Sequence, residues 1–168
     1  MKTQMFFALM TMAISRPRLF ALENKKKKIT GRPSMRTDTK VIVLQPWDNV
    51  RSDVHKHFKQ FSIDVFCTPD PKKAINAVPK KGKCIIVSEY YFPHDYNAQF
   101  IASQVKERNA KAKMCVVSGE NILDDPSTNL FDGIKKAENR EDCTAKVIQT
   151  IERRLRSTKK EIELDFTS

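Results

Sequence analysis

Val41-Ile42-Val43-Leu44 is a run of four apolar, mostly β-branched residues, the pattern of a strand buried on both faces. Val50, Val54, Phe58 and Phe61 follow at spacings of four, four and three, which is one face of a helix with Asp48 or Asn49 as its expected cap. Residues 63–67 read as a second strand. Asp70-Pro71 then opens a short helix, with proline at the first helical position and Ala74, Ile75 and Val78 inward. Cys84-Ile85-Ile86-Val87 is a third buried strand, and Phe100, Ile101 and Val105 mark the helix after it. Met114–Val117 is a fourth strand, residues 122–130 are an expected short helix, and Gly133–Lys136 is a weaker fifth strand. The last helix has the clearest stripe: Cys143, Val147, Ile151 and Leu155 lie four apart, and Ile148 widens it. Asn139 is its expected cap, and Asp142 favours its positive end. Five alternations of strand and helix predict an α/β domain, a doubly wound five-stranded parallel sheet with helices on both faces. Ligands of such sheets sit beyond the carboxyl ends of the strands, so the loops there are where function is sought.

Composition divides the chain. Of 168 residues, 31 are Lys or Arg and 20 are Asp or Glu, a net charge of +11. Residues 1–40 hold ten basic and two acidic side chains; the remainder holds 21 and 18. A basic N-terminal arm (1–39) thus precedes a nearly balanced body (40–156) and a short C-terminal tail (157–168). The Lys25–Lys28 run is a solvated linker or a contact for phosphate or an anionic membrane surface. Nucleic acid is not an expected partner, because the body is so close to neutral. Residues 5–14 have the length of a signal-peptide core and are too short to span a bilayer. A single Lys precedes them and no clean cleavage site follows. Two readings stand for residues 1–34: a signal or anchor, or an added arm ahead of a start near Met35. Membrane contact is expected only through this segment. In the tail, Glu161–Phe166 alternates acidic and apolar residues, the pattern of a strand added to a partner's sheet edge, or else a frayed terminus.

Several chemistries are disfavoured. The four glycines form no dinucleotide or P-loop phosphate cradle. Cys67, Cys84, Cys115 and Cys143 have no CxxC or zinc spacing and read as buried reduced thiols, which suits the cytoplasm. His55 and His57 lie two apart on a helix, face different sides and read as solvated. His94 and Asp95 have no nucleophile placed beside them. No catalytic residue, metal ligand or cofactor is expected, and the protein is not expected to be an enzyme.

The third strand ends in Ser88-Glu89-Tyr90-Tyr91-Phe92-Pro93. An acid at the strand end, four residues before a proline, resembles the receiver domain of bacterial response regulators, as does the spacing of the five βα units over about residues 40–156. The resemblance implies a flavodoxin-like, receiver-like (βα)5 fold, with Glu89 where the family's phosphoacceptor Asp stands. The family's paired metal-holding acids are matched by Gln45 and Pro46, which offer a neutral amide and no ligand. Phosphoryl transfer to a carboxylate needs a divalent ion, so the usual chemistry is expected to be lost. Tyr91 stands where the family keeps its pocket open, and a phenol there is expected to cover it. Ser118 matches the switch hydroxyl, and the partner lysine is Lys136 or, with a one-residue slip, Lys135. An ion pair between Glu89 and Lys136, with Ser118, is expected to hold an activated-like arrangement without phosphate. Trp47 and the Tyr90/Tyr91 pair read as a binding surface or as packing over the vacated pocket.

The resemblance implies a degenerate pseudo-receiver, acting as a signalling or localisation adaptor through protein–protein contact. Its docking face is expected around the fourth predicted helix, the fifth strand and the last helix, with homodimerisation through it an option. The alternatives are an atypical phosphorylatable stand-alone response regulator and an exported or membrane-tethered α/β binding module.

Overall fold

The computed structural model describes residues 38–93, 96–120, 122 and 129–165, with side chains described as far as Thr158. Five strands run β1 (Lys40–Leu44), β2 (Val65–Thr68), β3 (Cys84–Ser88), β4 (Lys113–Ser118) and β5 (Gly133–Lys136). The helices are α1 (Asp48–Lys59), α2 (Pro71–Ala77), α3 (Ala98–Arg108) and α4 (Arg140–Asp165). All four strand pairings are parallel, and the order across the sheet is β2-β1-β3-β4-β5. This is the doubly wound, flavodoxin-like arrangement that the alternation predicts.

The apolar runs are buried on both faces because each face carries its own layer. Val41, Val43, Ile85, Val87, Cys115 and Val117 pack with α1 and α4. Ile42, Leu44, Ile86, Met114 and Val116 pack with α2 and α3. Strand alternation divides each run between the two layers. The stripe Cys143, Val147, Ile151 and Leu155 is fully buried and holds α4 to the sheet.

Local signals set the helix starts. Asp70 Oδ1 accepts the N–H groups of Lys72 (2.8 Å) and Lys73 (3.3 Å), and Pro71 needs no partner at the first position. Asn139 Oδ1 accepts the N–H of Asp142 at 2.9 Å, and Asp142 Oδ2 in turn accepts the N–H of Glu138 at 2.8 Å. That reciprocal exchange fixes where α4 leaves β5.

Several expectations are corrected. Trp47, not Asp48 or Asn49, precedes α1 as its cap, without a side-chain hydrogen bond, because the Asp48 carboxylate is engaged by Arg51 instead. The second strand starts at Val65, after a turn in which Ser62 takes a φ of 58°. Phe61 and Phe100 are exposed, so the inner face of α3 is Ala98, Ile101, Ala102 and Val105. Glu161–Asp165 continue α4 as helix rather than forming a strand or a frayed end. Two apolar residues at period two are too few to outweigh the helix propensity of the Lys- and Glu-rich sequence leading into them. The basic arm through residue 37, most of the predicted helix over 122–130, and Phe166 lie outside the described residues.

Candidate functional site at the carboxyl ends of the strands

Strand register brings the predicted positions together. Leu44 pairs with Ser88, and the next step places Gln45 level with Glu89, whose N–H donates to Leu44 O at 3.0 Å. Ser88 pairs with Val116, and Ser118 pairs with Lys136 on β5. Gln45, Glu89 and Ser118 therefore meet at one end of the central strands, and all three are buried.

Gln45 has no exposed surface. Its Nε2 donates to Val117 O at 3.4 Å, and its Oε1 accepts from the Cys143 thiol at 3.9 Å. The amide thus ties β1 to β4 and to the first turn of α4. Burial, with the Glu89 carboxylate adding to it, pushes the Cys143 thiol up to about 12, so it remains protonated and able to donate. Arg51 Nη1 donates to Gln45 O at 2.5 Å and steadies the turn through Pro46. This contact between Gln45 and Cys143 is absent from the sequence reading. Its one signal is that Cys143 opens the α4 stripe and so must lie nearest the strand ends.

Glu89 is 5% exposed. Its Oε1 accepts the N–H of Tyr90 at 2.8 Å, whereas Oε2 is buried with no hydrogen-bond partner among the described residues. Burial raises the carboxyl above its usual range; the Ser118 hydroxyl and the Tyr90 N–H oppose this, and the Glu120 charge adds to it. Ser118 Oγ accepts the Glu120 N–H at 3.2 Å, turning the chain at the end of β4.

The expected ion pair between Glu89 and Lys136 is not formed among the described residues. Alternation along β5 explains why: Ile134 packs into the α3 layer, so Lys135 turns to α4 and Lys136 turns back, exposed. Lys135 Nζ donates to Gln149 Oε1 at 3.5 Å, and only the Lys136 carbonyl is engaged, by Lys146 Nζ at 2.5 Å. Neither lysine neutralises Glu89, so the fixed-switch arrangement loses its cation.

The aromatic residues do not converge on the pocket. Tyr90 is buried in the α3 layer, where its hydroxyl accepts from Gln99 Nε2 at 2.8 Å. Tyr91 is 58% exposed, its ring edge-on to Tyr90 at 4.6 Å. Trp47 is half-buried against the α1/α4 layer beneath the Arg140 guanidinium. His57 is not merely solvated: its Nε2 lies 3.1 Å from Glu152 Oε1 and joins α1 to α4. His94 and Asp95 lie outside the described residues.

A divalent ion does not fit this donor set. Pro46 contributes no ligand, the Gln45 amide is committed to Val117 and Cys143, and among the described residues Glu89 is the one buried carboxylate there, with Glu120 exposed. No group of three or more His, Cys, Asp or Glu side chains placed to hold a metal occurs among the described residues.

No family model and no curated protein matches the chain by sequence. Solved structures do match by shape. The chemotaxis response regulator CheY4 of Vibrio cholerae is 16% identical, with a TM-score of 0.55 over 70% of this chain and 98% of that one. The response regulator protein TrrA of Thermotoga maritima, in complex with Mg²⁺ and BeF, is 13% identical, with a TM-score of 0.52 over 66% and 97%. A protein described as an adenylate cyclase, from Rhodopirellula baltica, is 8% identical, with a TM-score of 0.56 over 77% and 98%. The chain has a receiver-like fold. At these identities the likeness is one of fold alone.

Proposed function

We propose that the protein is a phosphorylation-independent pseudo-receiver, a signalling or localisation adaptor that works through protein–protein contact and not as an enzyme. One observation carries this reading: the place of the metal-holding acids is taken by Pro46 and by a fully buried Gln45 amide bonded to β4 and α4. Without paired carboxylates nothing there draws in the cation that phosphoryl transfer requires. The likeness in fold to proteins named response regulators supports a signalling role for the same framework. Output by docking is assigned to the side formed by β5 and α4, where Lys136, Glu138, Arg140 and Gln149 are exposed. This face does not depend on an ion pair with Glu89.

Millimolar Mg²⁺ with a small phosphodonor, or with beryllofluoride, is expected to leave the amide NMR spectrum unchanged at Gln45, Glu89 and Ser118. Glu89→Asp alone is expected not to restore labelling, because the new carboxylate still lacks its cation. Restoration requires acids at positions 45 and 46 as well. Stoichiometric, Mg²⁺-dependent labelling of the unaltered protein at Glu89 would overturn the proposal.

A further inference from the structure

Lys72 and Lys73 are exposed on α2, and Lys80 and Lys81 are exposed in the turn that leads from it to β3. No acidic residue stands between the first of these lysines and the last. None of the four forms an ion pair among the described residues. Asp70, just ahead of them, caps α2 by accepting the Lys72 and Lys73 N–H groups. Glu107 is the one acid of α3, and it accepts from Gln104 Nε2 at 3.3 Å. The surface lies on the face of the sheet opposite α4, because α2 and α3 form one layer and α1 and α4 the other.

The turn is braced against the end of α3. Asn109 Nδ2 donates to Pro79 O at 3.0 Å and to Gly82 O at 3.1 Å, the residues on either side of Lys80-Lys81. Arg108 Nε donates to Val78 O at 2.6 Å, and its Nη2 donates to Asn76 O at 3.2 Å. Gly82 closes the turn with a φ of 93°, which glycine adopts without steric cost. Ala74 and Val78 are buried beneath, and Ile75 is half-buried against the same layer. Four lysines therefore project from a fixed platform that has no exposed apolar centre.

We infer that this platform is a contact for an anionic lipid membrane, with Lys72, Lys73, Lys80 and Lys81 meeting the headgroups. Lysine is a compact, hydrated charge suited to a diffuse negative surface, and clustered lysines are drawn to an anionic leaflet. A protein partner finds no aromatic or apolar anchor at the centre of the platform. Nucleic acid finds no ring there to stack on, and the Arg108 fork is committed to backbone carbonyls. A basic patch alone anchors weakly, and stable attachment takes a second signal. The apolar run at residues 5–14 is of the kind that supplies one. The contact is separate from the docking side of β5 and α4 and does not rest on the pseudo-receiver reading.

Cosedimentation of the full chain with vesicles tests this, using equal parts phosphatidylserine and phosphatidylcholine against phosphatidylcholine alone. Binding to the anionic vesicles only, weakening as salt is raised, is expected. Changing Lys72, Lys73, Lys80 and Lys81 together to glutamine is expected to weaken it on the order of several hundredfold, at about fivefold for each lysine. Lys80→Gln with Lys81→Gln, confined to the turn, is a second variant and is expected to cost about twenty-five-fold. Lys56→Gln with Lys59→Gln makes the same change in net charge on α1, in the other layer, and is expected to leave the affinity unchanged. The factor lost at Lys80 and Lys81 is expected to be the same when Lys25–Lys28 are alanine. Equal binding to both kinds of vesicle would overturn the contact and leave residues 5–14 as the anchor. An equal loss from the α1 pair and the turn pair would overturn it as an effect of net charge alone. Tighter binding of a duplex oligonucleotide than of the anionic vesicles would overturn it in favour of nucleic acid.

Discussion

The two ends of this sheet have exchanged their usual characters. In open α/β sheets the carboxyl ends of the strands form the crevice that receives ligands. Here that end is closed from within: Gln45 bridges β1, β4 and α4, and Glu89 lies buried beside it with one oxygen unmatched among the described residues. The amino end, where no site is expected from the fold, instead opens a cavity whose described lining includes Lys83, Lys111, Lys113 and Arg154. One end buries its polar groups in its own structure; the other sets exposed Lys111 and half-exposed Lys113 toward solvent. The same sheet therefore separates a position where charge is an energetic burden from one where it is solvated and costs little.

The largest expected effect comes from putting a second charge into the closed end. Gln45→Asp shortens the side chain, removes the amide donor and sets a carboxylate next to Glu89. Leaving such a charge uncompensated in a buried site costs about 3–5 kcal/mol. Urea unfolding at pH 7 is expected to show a loss of that order, recovered in part as the pH falls and the new acid protonates. Recovery on adding Mg²⁺ at pH 7 would instead reveal an acid pocket that one substitution reopens, and would weaken the contrast between the ends.

The framework of this comparison was legible in the sequence because it rests on short-range patterns. Val41–Leu44, Cys84–Val87 and Met114–Val117 are apolar runs bounded by polar residues, and the four-residue stripe from Cys143 to Leu155 admits one reading. Asp70 and Asn139 announce helix starts through chemistry confined to a few residues. The positions of Gln45, Glu89 and Ser118 also followed, because parallel strands of similar length set their ends side by side. The Glu89–Lys136 pair did not follow, since it depended on which way the edge strand β5 turns. A four-residue strand with two adjacent lysines gives no apolar alternation by which to fix that. The cavity at the amino end was equally hidden: Lys83, Lys111, Lys113 and Arg154 of its described lining come from three separate parts of the chain, and only the tertiary fold collects them.

Glu89 itself should show the cost of charge at the closed end through pH. Its unfolded carboxyl loses its proton near the usual 4.5, and the folded one only at higher pH because burial disfavours the charged form. Between those two values the folded state holds the extra proton, so stability falls as pH rises through that window and is then level. Glu89→Gln keeps an acceptor for the Tyr90 N–H and removes the charge. It is expected to gain on the order of 1–2 kcal/mol at pH 7 and nothing below pH 4, in unfolding measured across that range. A wild-type profile that rises with pH through the same window would mean that Glu89 has found a cation. A smaller loss, about 1 kcal/mol, is expected for Asn139→Ala, which removes the cap that starts α4 and thereby seats Cys143 under Gln45. Its effect should appear as faster amide exchange in the first turn of α4.

The smallest effect is expected at the open end. Lys111 is exposed, and its side chain makes no ion pair among the described residues; only its backbone N–H is fixed, by Asn109 Oδ1 at 3.0 Å. Lys111→Glu reverses a whole unit of charge, yet a solvated side chain with no partner loses no contact and relieves the repulsion of nearby lysines. Its unfolding free energy is expected to stay within about 0.5 kcal/mol of the unaltered protein. Removing one charge from Glu89 therefore shifts stability more than reversing one at Lys111, because desolvation, not the size of the charge change, sets the energy. A loss at Lys111→Glu as large as that at Gln45→Asp would mean that the basic residues brace the fold, and the two ends would no longer differ in kind.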